Sequence, residues 1–145
     1  MKDFIGRELT TGTKVVVVYH PEPYKFSIEK ATVCEGGTEK RMVLTLENGK
    51  TYRQMSRYDE KVGDIIFPRV TVYDDKYSDT AENRDMFGQP FDIGSKVAYM
   101  LPIELGNTCK GFGYGEITKI TPKTVTLKIG DKLFRKNRSK IIVSN

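Results

Sequence analysis

The fold of this chain is indicated by a short stretch, Gly12-Thr13-Lys14-Val15, that returns 82 residues later as Gly94-Ser95-Lys96-Val97. At the same offset, Asp3-Phe4-Ile5-Gly6 meets Asp85-Met86-Phe87-Gly88. Matches at one fixed offset are the signature of an internal repeat, and each repeat is expected to form one structural unit. The sequence therefore predicts two homologous units.

Both units show the same succession of strand and turn signals. Continued without a gap, the offset pairs Val43 with Val125 and residues 52–53 with residues 134–135. We expect five short strands in each unit, bent at glycines and closed into a small barrel that leaves no exposed edge. The expected strands are residues 14–19, 26–33, 42–46, 51–53 and 64–67 in the first unit and 96–100, 114–120, 125–129, 132–136 and 140–143 in the second, and residues 70–73 could add an edge strand.

The composition also favours an all-β fold. The chain has 145 residues, of which 12 are Val, 11 Ile and 14 Thr, against 3 Ala and 7 Leu. Branching at Cβ favours strands over helices. Residues 74–83 hold four acids and one lysine but no large aliphatic side chain, a composition typical of a linker. We therefore expect a first barrel at residues 1–73, a linker at 74–83 and a second barrel at 84–145.

Several classes of protein are not expected. The longest apolar run, residues 15–19, is far shorter than the roughly 20 residues of a membrane helix. The first residues lack the apolar core of a signal peptide, so a cytoplasmic protein is expected. Two cysteines (Cys34 and Cys109) and one histidine (His20) cannot assemble a four-ligand zinc site. Because His20 has no evident catalytic partner in its proline-rich stretch, we expect neither an enzyme nor a metal or organic cofactor.

The second unit carries a pattern that resembles a known motif. Residues 94–97, 110–120 and 125–127 combine a Gly-x-x-Val opening, a glycine-rich approach to a strand and alternating aliphatics, and together they resemble a KOW motif. KOW and Tudor-like units are small SH3-like barrels of ribosomal proteins and transcription elongation factors, so the resemblance implies two tandem SH3-like barrels. The first unit keeps Gly12 and Val15 but lacks the glycine series. Such barrels bind RNA, DNA, modified tails or polymerase, so function has to be argued from the site.

The opening pattern, Asp-x-x-Gly followed by Gly-x-Lys-Val, also resembles small proteins of tailed phages, among them the MotB-type early proteins of T4-like phages. This resemblance implies a protein that modulates transcription of host or phage. It would act in the cytoplasm of the infected bacterium.

Positive charge is concentrated in the second unit. The chain has 24 basic and 19 acidic residues, net +5; residues 1–73 hold 12 and 10, net +2, and residues 84–145 hold 11 and 5, net +6. A basic surface attracts a polyanion by releasing condensed counterions, and no recognition helix is expected that would read bases. This predicts sequence-nonspecific binding of double-stranded DNA, in preference to RNA, although a solvated barrel exterior would explain the same lysines. The candidate phosphate-binding residues are Lys110, Lys119, Lys123, Lys128, Lys132, Arg135, Lys136, Arg138 and Lys140.

The alternation of strand side chains suggests how these cations are arranged. If the alternation continued through the turn at residues 130–131 and the loop after Phe134, the even-numbered cations would share one face of the second unit. These are Lys128, Lys132, Lys136 and Arg138. The apolar residues between them would then point the other way, into the core.

Aromatic side chains indicate a second kind of site. In SH3-like barrels, ligands dock where the first two strands meet, and aromatics there stack on bases or cage a methylated cation. The same side chains could instead be half-buried lids of the barrels. Used for docking, this aromatic rim would make the chain a protein-binding module for RNA polymerase or a host-defence enzyme. The candidate rim residues are Tyr99, Phe112, Tyr114, Tyr19, Tyr24 and Phe26.

Overall fold

The computed structural model describes residues 1–22, 25–101, 103–104, 108–109 and 111–144. The described residues form an all-β chain, which confirms the predicted fold class. They divide into two compact units. The first unit is Met1–Tyr73 together with Leu101–Phe112, and the second is Asp74–Met100 together with Gly113–Asn145.

The first unit is built on an antiparallel sheet in the order β4-β3-β2-β1-β7. Strands β5 and β6, which follow β4 and precede β7 along the chain, form a separate two-stranded hairpin. The strands are β1 (Lys14–Glu22), β2 (Lys25–Val33), β3 (Arg41–Leu46), β4 (Thr51–Met55), β5 (Arg57–Asp59), β6 (Asp64–Ile66) and β7 (Val70–Val72).

The second unit is built on a sheet in the order β13-β12-β11-β8-β14. A single turn of 3-10 helix, Arg138–Lys140, leads into its last strand. Strands β9 and β10 pair with each other in the segment Leu101–Phe112, which groups with the first unit. The strands are β8 (Lys96–Met100), β9 (Ile103–Glu104), β10 (Thr108–Cys109), β11 (Phe112–Ile120), β12 (Thr124–Ile129), β13 (Lys132–Asn137) and β14 (Ile141–Val143).

The last strand of each sheet pairs with the first. Val15 lies opposite Val72 in the first unit, and Val97 lies opposite Val143 in the second. The prediction that residues 64–67 close the first unit is therefore wrong, because that position belongs to β7 and residues 64–66 pair with β5 instead. Burial does not separate the two stretches, since Ile66 and Phe67 are as buried as Val70 and Thr71. The difference lies in backbone pairing: the Phe67 N–H donates to Lys2 O (2.8 Å), whereas the Val18 N–H of β1 donates to Arg69 O (3.0 Å), next to β7.

The third strands correspond with a shift of one residue. Leu44 lies between Val33 and Tyr52, and its counterpart Leu127 lies between Ile117 and Phe134. The gapless match of Val43 with Val125 is thus wrong by one position, whereas the match of Tyr52 with Phe134 holds. The cause is the hairpin, since six residues separate Leu127 from its partner Phe134, whereas seven separate Leu44 from its partner Tyr52.

A buried carboxylate organises the segment before β8. Asp85 Oδ1 accepts hydrogen bonds from the backbone N–H groups of Phe87 (2.8 Å) and Gln89 (2.8 Å). Its Oδ2 accepts from Gln89 Nε2 (3.0 Å) and from the Val143 N–H (2.8 Å). One side chain therefore shapes the turn and ties it to the last strand, β14. Charge-assisted bonds of this kind are among the stronger hydrogen bonds in proteins.

The first unit repeats this arrangement at Asp3. The Asp3 carboxylate accepts from the backbone N–H groups of Ile5 (3.2 Å) and Arg7 (2.9 Å), from Arg7 Nε (2.8 Å) and from the Val72 N–H (3.1 Å). Backbone bonds correspond as well, since the Gly12 N–H donates to Val33 O and the Gly94 N–H to Ile117 O, both at 2.8 Å. The repeat detected in the sequence is thus a repeat of hydrogen-bonded structure.

Each unit has an apolar core on the inner side of its sheet. In the first unit the inward residues of β3, Met42 and Leu44, are fully buried. In the second, Val125 and Leu127 of β12 and Val97 of β8 are fully buried. The core cluster of the first unit comprises Leu9, Val15, Val17, Ala31, Val33, Met42, Leu44, Leu46, Phe67 and Val70. Within the part of the chain that the structure describes, no helix has the length and apolarity to cross a membrane.

Candidate nucleic-acid interface

The second unit presents a cationic face on the outer side of its sheet. Cross-strand partners share a face, so Lys119 of β11 and Arg135 of β13, which both pair with Thr126, lie on the same side. Lys128 lies on this side too, between Glu116 and Leu133. All three cations are exposed. They lie on the side of the sheet opposite to the buried residues of β12, which point into the core. We call Lys119, Lys128 and Arg135 the outer cationic face.

Two of the predicted lysines lie on the opposite side of the sheet. Lys132 pairs with Ile129, and Lys136 pairs with the buried Val125. The expectation that Lys128 shares a face with them is wrong, because the two-residue turn after Ile129 reverses which parity points inward. The Lys136 ammonium lies 4.7 Å from the centroid of the Tyr99 ring, a cation–π contact. Burial raises the pKa of the Tyr99 hydroxyl above its usual value of 10.0.

Arg138 has a structural role in the second unit. Its guanidinium donates to Thr121 O (3.0 Å) and to Asn83 Oδ1 (2.7 Å), and it lies 5.4 Å from the centroid of the Phe91 ring. These contacts hold the turn before β12 and the segment before β8 to the 3-10 helix. Such a partnered and half-buried arginine is less available to a phosphate than an exposed one.

The remaining predicted cations are peripheral. Lys123 and Lys140 are exposed, the first in the turn before β12 and the second in the 3-10 helix. The Lys123 carbonyl accepts from the Arg138 N–H at 3.1 Å. Lys110 falls outside the described residues.

The predicted aromatic rim of the second part of the chain is largely buried. Tyr99 is 8% exposed and Phe112 is 6% exposed. The Phe112 ring packs on Phe4 with 5.6 Å between centroids, so it belongs to the first unit. Tyr114 is half-buried, and its hydroxyl donates to Ser144 O at 2.8 Å. These three side chains therefore serve the cores rather than one exposed docking surface.

The predicted rim of the first unit forms a cluster with two further residues. The Tyr19 ring meets Tyr52 edge-on with 4.8 Å between centroids, and Phe26 stacks on the His20 ring at 4.0 Å. The backbone N–H of His20 donates to the Tyr52 hydroxyl at 3.1 Å, and this hydrogen bond links the two aromatic pairs. Tyr24, the other predicted member, lies outside the described residues. Tyr52 was missed in the rim because it comes from β4, far away in sequence.

Sequence reasoning also missed a cationic region in the first unit. Two open grooves of about 350 and 400 Å³ flank β4 and share Arg53 and Met55 as lining residues. The first is also lined by Arg57 and Arg69, and the second by Lys40 and Arg41. We call these the β4 grooves. The net charge of residues 1–73, only +2, gives no sign of these grooves, because acids elsewhere in the unit offset the cations. The one available signal in the sequence was the close spacing of Arg53 and Arg57.

Among the described residues, no group of three or more His, Cys, Asp or Glu side chains is close enough to hold a metal ion. The Cys34 thiol contacts the Thr45 hydroxyl at 2.9 Å on the outer side of the first sheet. The described surface therefore offers cations and exposed strand faces as its main chemical features.

Fold and surface together define a class of protein: an all-β chain of two repeated units whose exposed strand faces carry lysine and arginine. The model of a family described as "Domain of unknown function (DUF7205)" matches residues 83–143. The match begins at Asn83, whose side chain accepts a hydrogen bond from Arg138, and ends at Val143, whose N–H donates to Asp85. It spans most of the second unit and the segment Leu101–Phe112. Comparison with curated proteins finds no match.

Proposed function

We propose that the two units are SH3-like barrels of the KOW or Tudor type and that the chain is a non-enzymatic protein that binds double-stranded DNA with little sequence preference. The observation that carries this proposal is the outer cationic face, where Lys119, Lys128 and Arg135 stand exposed on three adjacent strands. Cations on a sheet surface suit contacts to phosphates, which give affinity and register without reading sequence.

The burial of the rim aromatics predicted for the second part of the chain supports a duplex over a single strand. Proteins that bind single strands stack bases on exposed aromatic rings. Here Tyr99 and Phe112 are buried, and the Tyr114 hydroxyl is bonded to the backbone. Phosphate contact without stacking is what a double helix requires. Following the resemblance to KOW units and phage early proteins, we place the action at transcription in the cytoplasm of an infected bacterium.

A salt titration with charge-reversal variants tests the proposal. Binding of a fluorescent 30-base-pair duplex is measured by anisotropy at increasing salt. The logarithm of the affinity is expected to fall linearly with the logarithm of the salt concentration, with a slope of about −0.9 for each phosphate neutralised. Combining Lys119→Glu, Lys128→Glu and Arg135→Glu should lower affinity on the order of 10- to 100-fold and flatten the salt dependence, equally for unrelated duplex sequences.

A matched control separates this face from net charge. Lys50→Glu, Lys61→Glu and Lys76→Glu together change the charge by the same amount at exposed positions elsewhere. This control should retain most of the affinity. Affinity that is indifferent to salt, or an equal loss in both triple variants, would contradict the proposal.

One observation favours a second candidate function, a protein-binding module. On the hairpin of β5 and β6, Tyr58 and Ile65 lie directly opposite each other and are 64% and 38% exposed. An exposed apolar pair of this kind suits a protein partner such as RNA polymerase. Co-precipitation with purified RNA polymerase after nuclease treatment tests it. Binding that survives nuclease and is lost in a Tyr58→Ser, Ile65→Ser variant would favour this function.

A further inference from the structure

We infer that the first unit carries a second surface for the phosphodiester backbone of duplex DNA, formed by the β4 grooves. This inference rests on the proposed function and extends it, because sequence reasoning assigned the affinity to the second unit alone. Its cations are Lys40, Arg41, Arg53, Arg57 and Arg69. None of the described residues that line either groove is acidic.

The strand register explains why these cations are displayed. Arg53 lies opposite Val43, and Arg41 lies opposite Met55, so both occur on the outer side of the β3–β4 ladder. The intervening Gln54 points inward, where it is 3% exposed and donates to Val18 O at 3.0 Å. The buried neighbour anchors β4, and the arginines beside it are left facing solvent.

Acidic groups of this unit gather elsewhere. A third groove is lined by Glu8, Glu39 and Asp64, with Lys2 among them. Other acids are paired with lysines that line neither β4 groove, as Glu22 is with Lys25 (3.0 Å) and Glu47 with Lys30 (3.8 Å). The small net charge of the first unit is therefore a balance between separate acidic and basic surfaces rather than an even mixture.

The two units place cations at equivalent positions. The Ser56 N–H donates to Lys40 O (3.0 Å) in the first unit, and the Arg138 N–H donates to Lys123 O (3.1 Å) in the second. Lys40 thus corresponds to Lys123. Arg53 follows Tyr52 as Arg135 follows Phe134. The two aromatics pair with equivalent leucines of the neighbouring strand, Leu44 and Leu127. One cation of each surface, Arg53 in the β4 grooves and Arg135 on the outer cationic face, thus occupies the same position in its repeat, which points to one kind of ligand.

Arginine makes the β4 grooves well suited to phosphate. A guanidinium binds phosphate oxygens through two parallel N–H donors, whereas lysine acts as a point charge. Four of the five cations here are arginines, against one of three on the outer cationic face. The first unit should therefore contribute to the affinity for duplex DNA, although the net charge of residues 1–73 is only +2.

The test compares two double variants of the full chain by anisotropy with the same duplex. Arg53→Glu with Arg57→Glu is expected to lower affinity on the order of tenfold or more and to reduce the salt slope by about 2. The control Lys50→Glu with Lys61→Glu has the same charge change in the same unit and should have little effect. Circular dichroism and the melting temperature show whether each variant is folded, and Arg53→Lys with Arg57→Lys, which keeps the charge but loses the paired donors, should restore the salt slope and part of the affinity.

The outcomes separate this inference from the proposed function. If Lys128→Glu with Arg135→Glu abolishes binding while the Arg53 and Arg57 variant binds as the parent does, the second surface is refuted and the proposed function stands. If neither variant loses affinity, both fail. If the Arg53 and Arg57 variant keeps duplex affinity but loses binding of poly-glutamate, the grooves take an acidic polypeptide and the inference is overturned. Losses in both variants, with a larger loss when they are combined, support it.

Discussion

Replacing Asp85 by alanine should strongly destabilise the second unit. Asp85 is 7% exposed, and three of the four hydrogen bonds that it accepts are buried. The alanine variant leaves the backbone N–H groups of Gln89 and Val143 buried without their acceptor, and the side-chain amide of the fully buried Gln89 loses one of its partners. At ~1–3 kcal/mol for each unsatisfied buried donor, the loss should be about 3 to 5 kcal/mol. That is a large part of the ~5–15 kcal/mol typical of a folded domain.

Urea denaturation followed by circular dichroism measures this loss. With a slope of ~1–3 kcal/mol per molar urea, the midpoint of the affected transition should fall on the order of 2 M. The control Asp131→Ala, which removes an exposed carboxylate from the turn after β12, should change the free energy of unfolding by less than ~0.5 kcal/mol. A loss below ~1 kcal/mol in the Asp85→Ala variant would refute the structural role assigned to this carboxylate.

Two further predictions concern packing and pH. A Cβ at Gly113 would overlap the buried Tyr99 ring and lie 2.6 Å from its hydroxyl oxygen, so Gly113→Ala should cost ~1–3 kcal/mol in thermal melts, unlike Thr118→Ala on the same strand. A hydrogen bond from Lys2 Nζ (2.7 Å), the Ile65 N–H bond and the Lys2 charge hold the pKa of Asp64 below its usual 3.8, so its stabilising contribution is present at neutral pH and lost as the pH falls through that lowered pKa. Asp64→Asn should therefore make the melting temperature less sensitive to acid, and an identical acid dependence in parent and variant would contradict this.

Much of the fold could be predicted because the repeat is written in residues whose roles are local. Glycines at turns and alternating β-branched residues specify strands within a few positions of themselves, which is why most strands occur close to the predicted bounds. The closing strand of the first unit was misplaced because the choice between residues 64–67 and 70–72 depends on which one pairs with β1. That pairing spans more than 50 residues, and both stretches contain buried apolar residues, so no local signal separates them.

The candidate site was harder to predict because it depends on which side of a sheet each cation occupies. Lys128 and Lys132 are separated by a turn whose length reverses the alternation, so their faces cannot be assigned by counting along the sequence. Arg138 looks like its neighbours in sequence, yet its partners Thr121 and Asn83 lie 17 and 55 residues away. The cations around β4 were overlooked because net charge averages over surfaces that the fold keeps apart.

The carboxylates of Asp3 and Asp85 have a consequence for how such a chain could arise. Each joins the start of its unit to the final strand, through the N–H groups of Val72 and Val143. The two ends of each repeat, residues 3–72 and 85–143, are therefore neighbours in space, the arrangement that allows a module to be copied in tandem or inserted into another protein. A gene duplication would then need only a few residues of joining sequence, and the copies could diverge in charge while the same aspartate fastened each one.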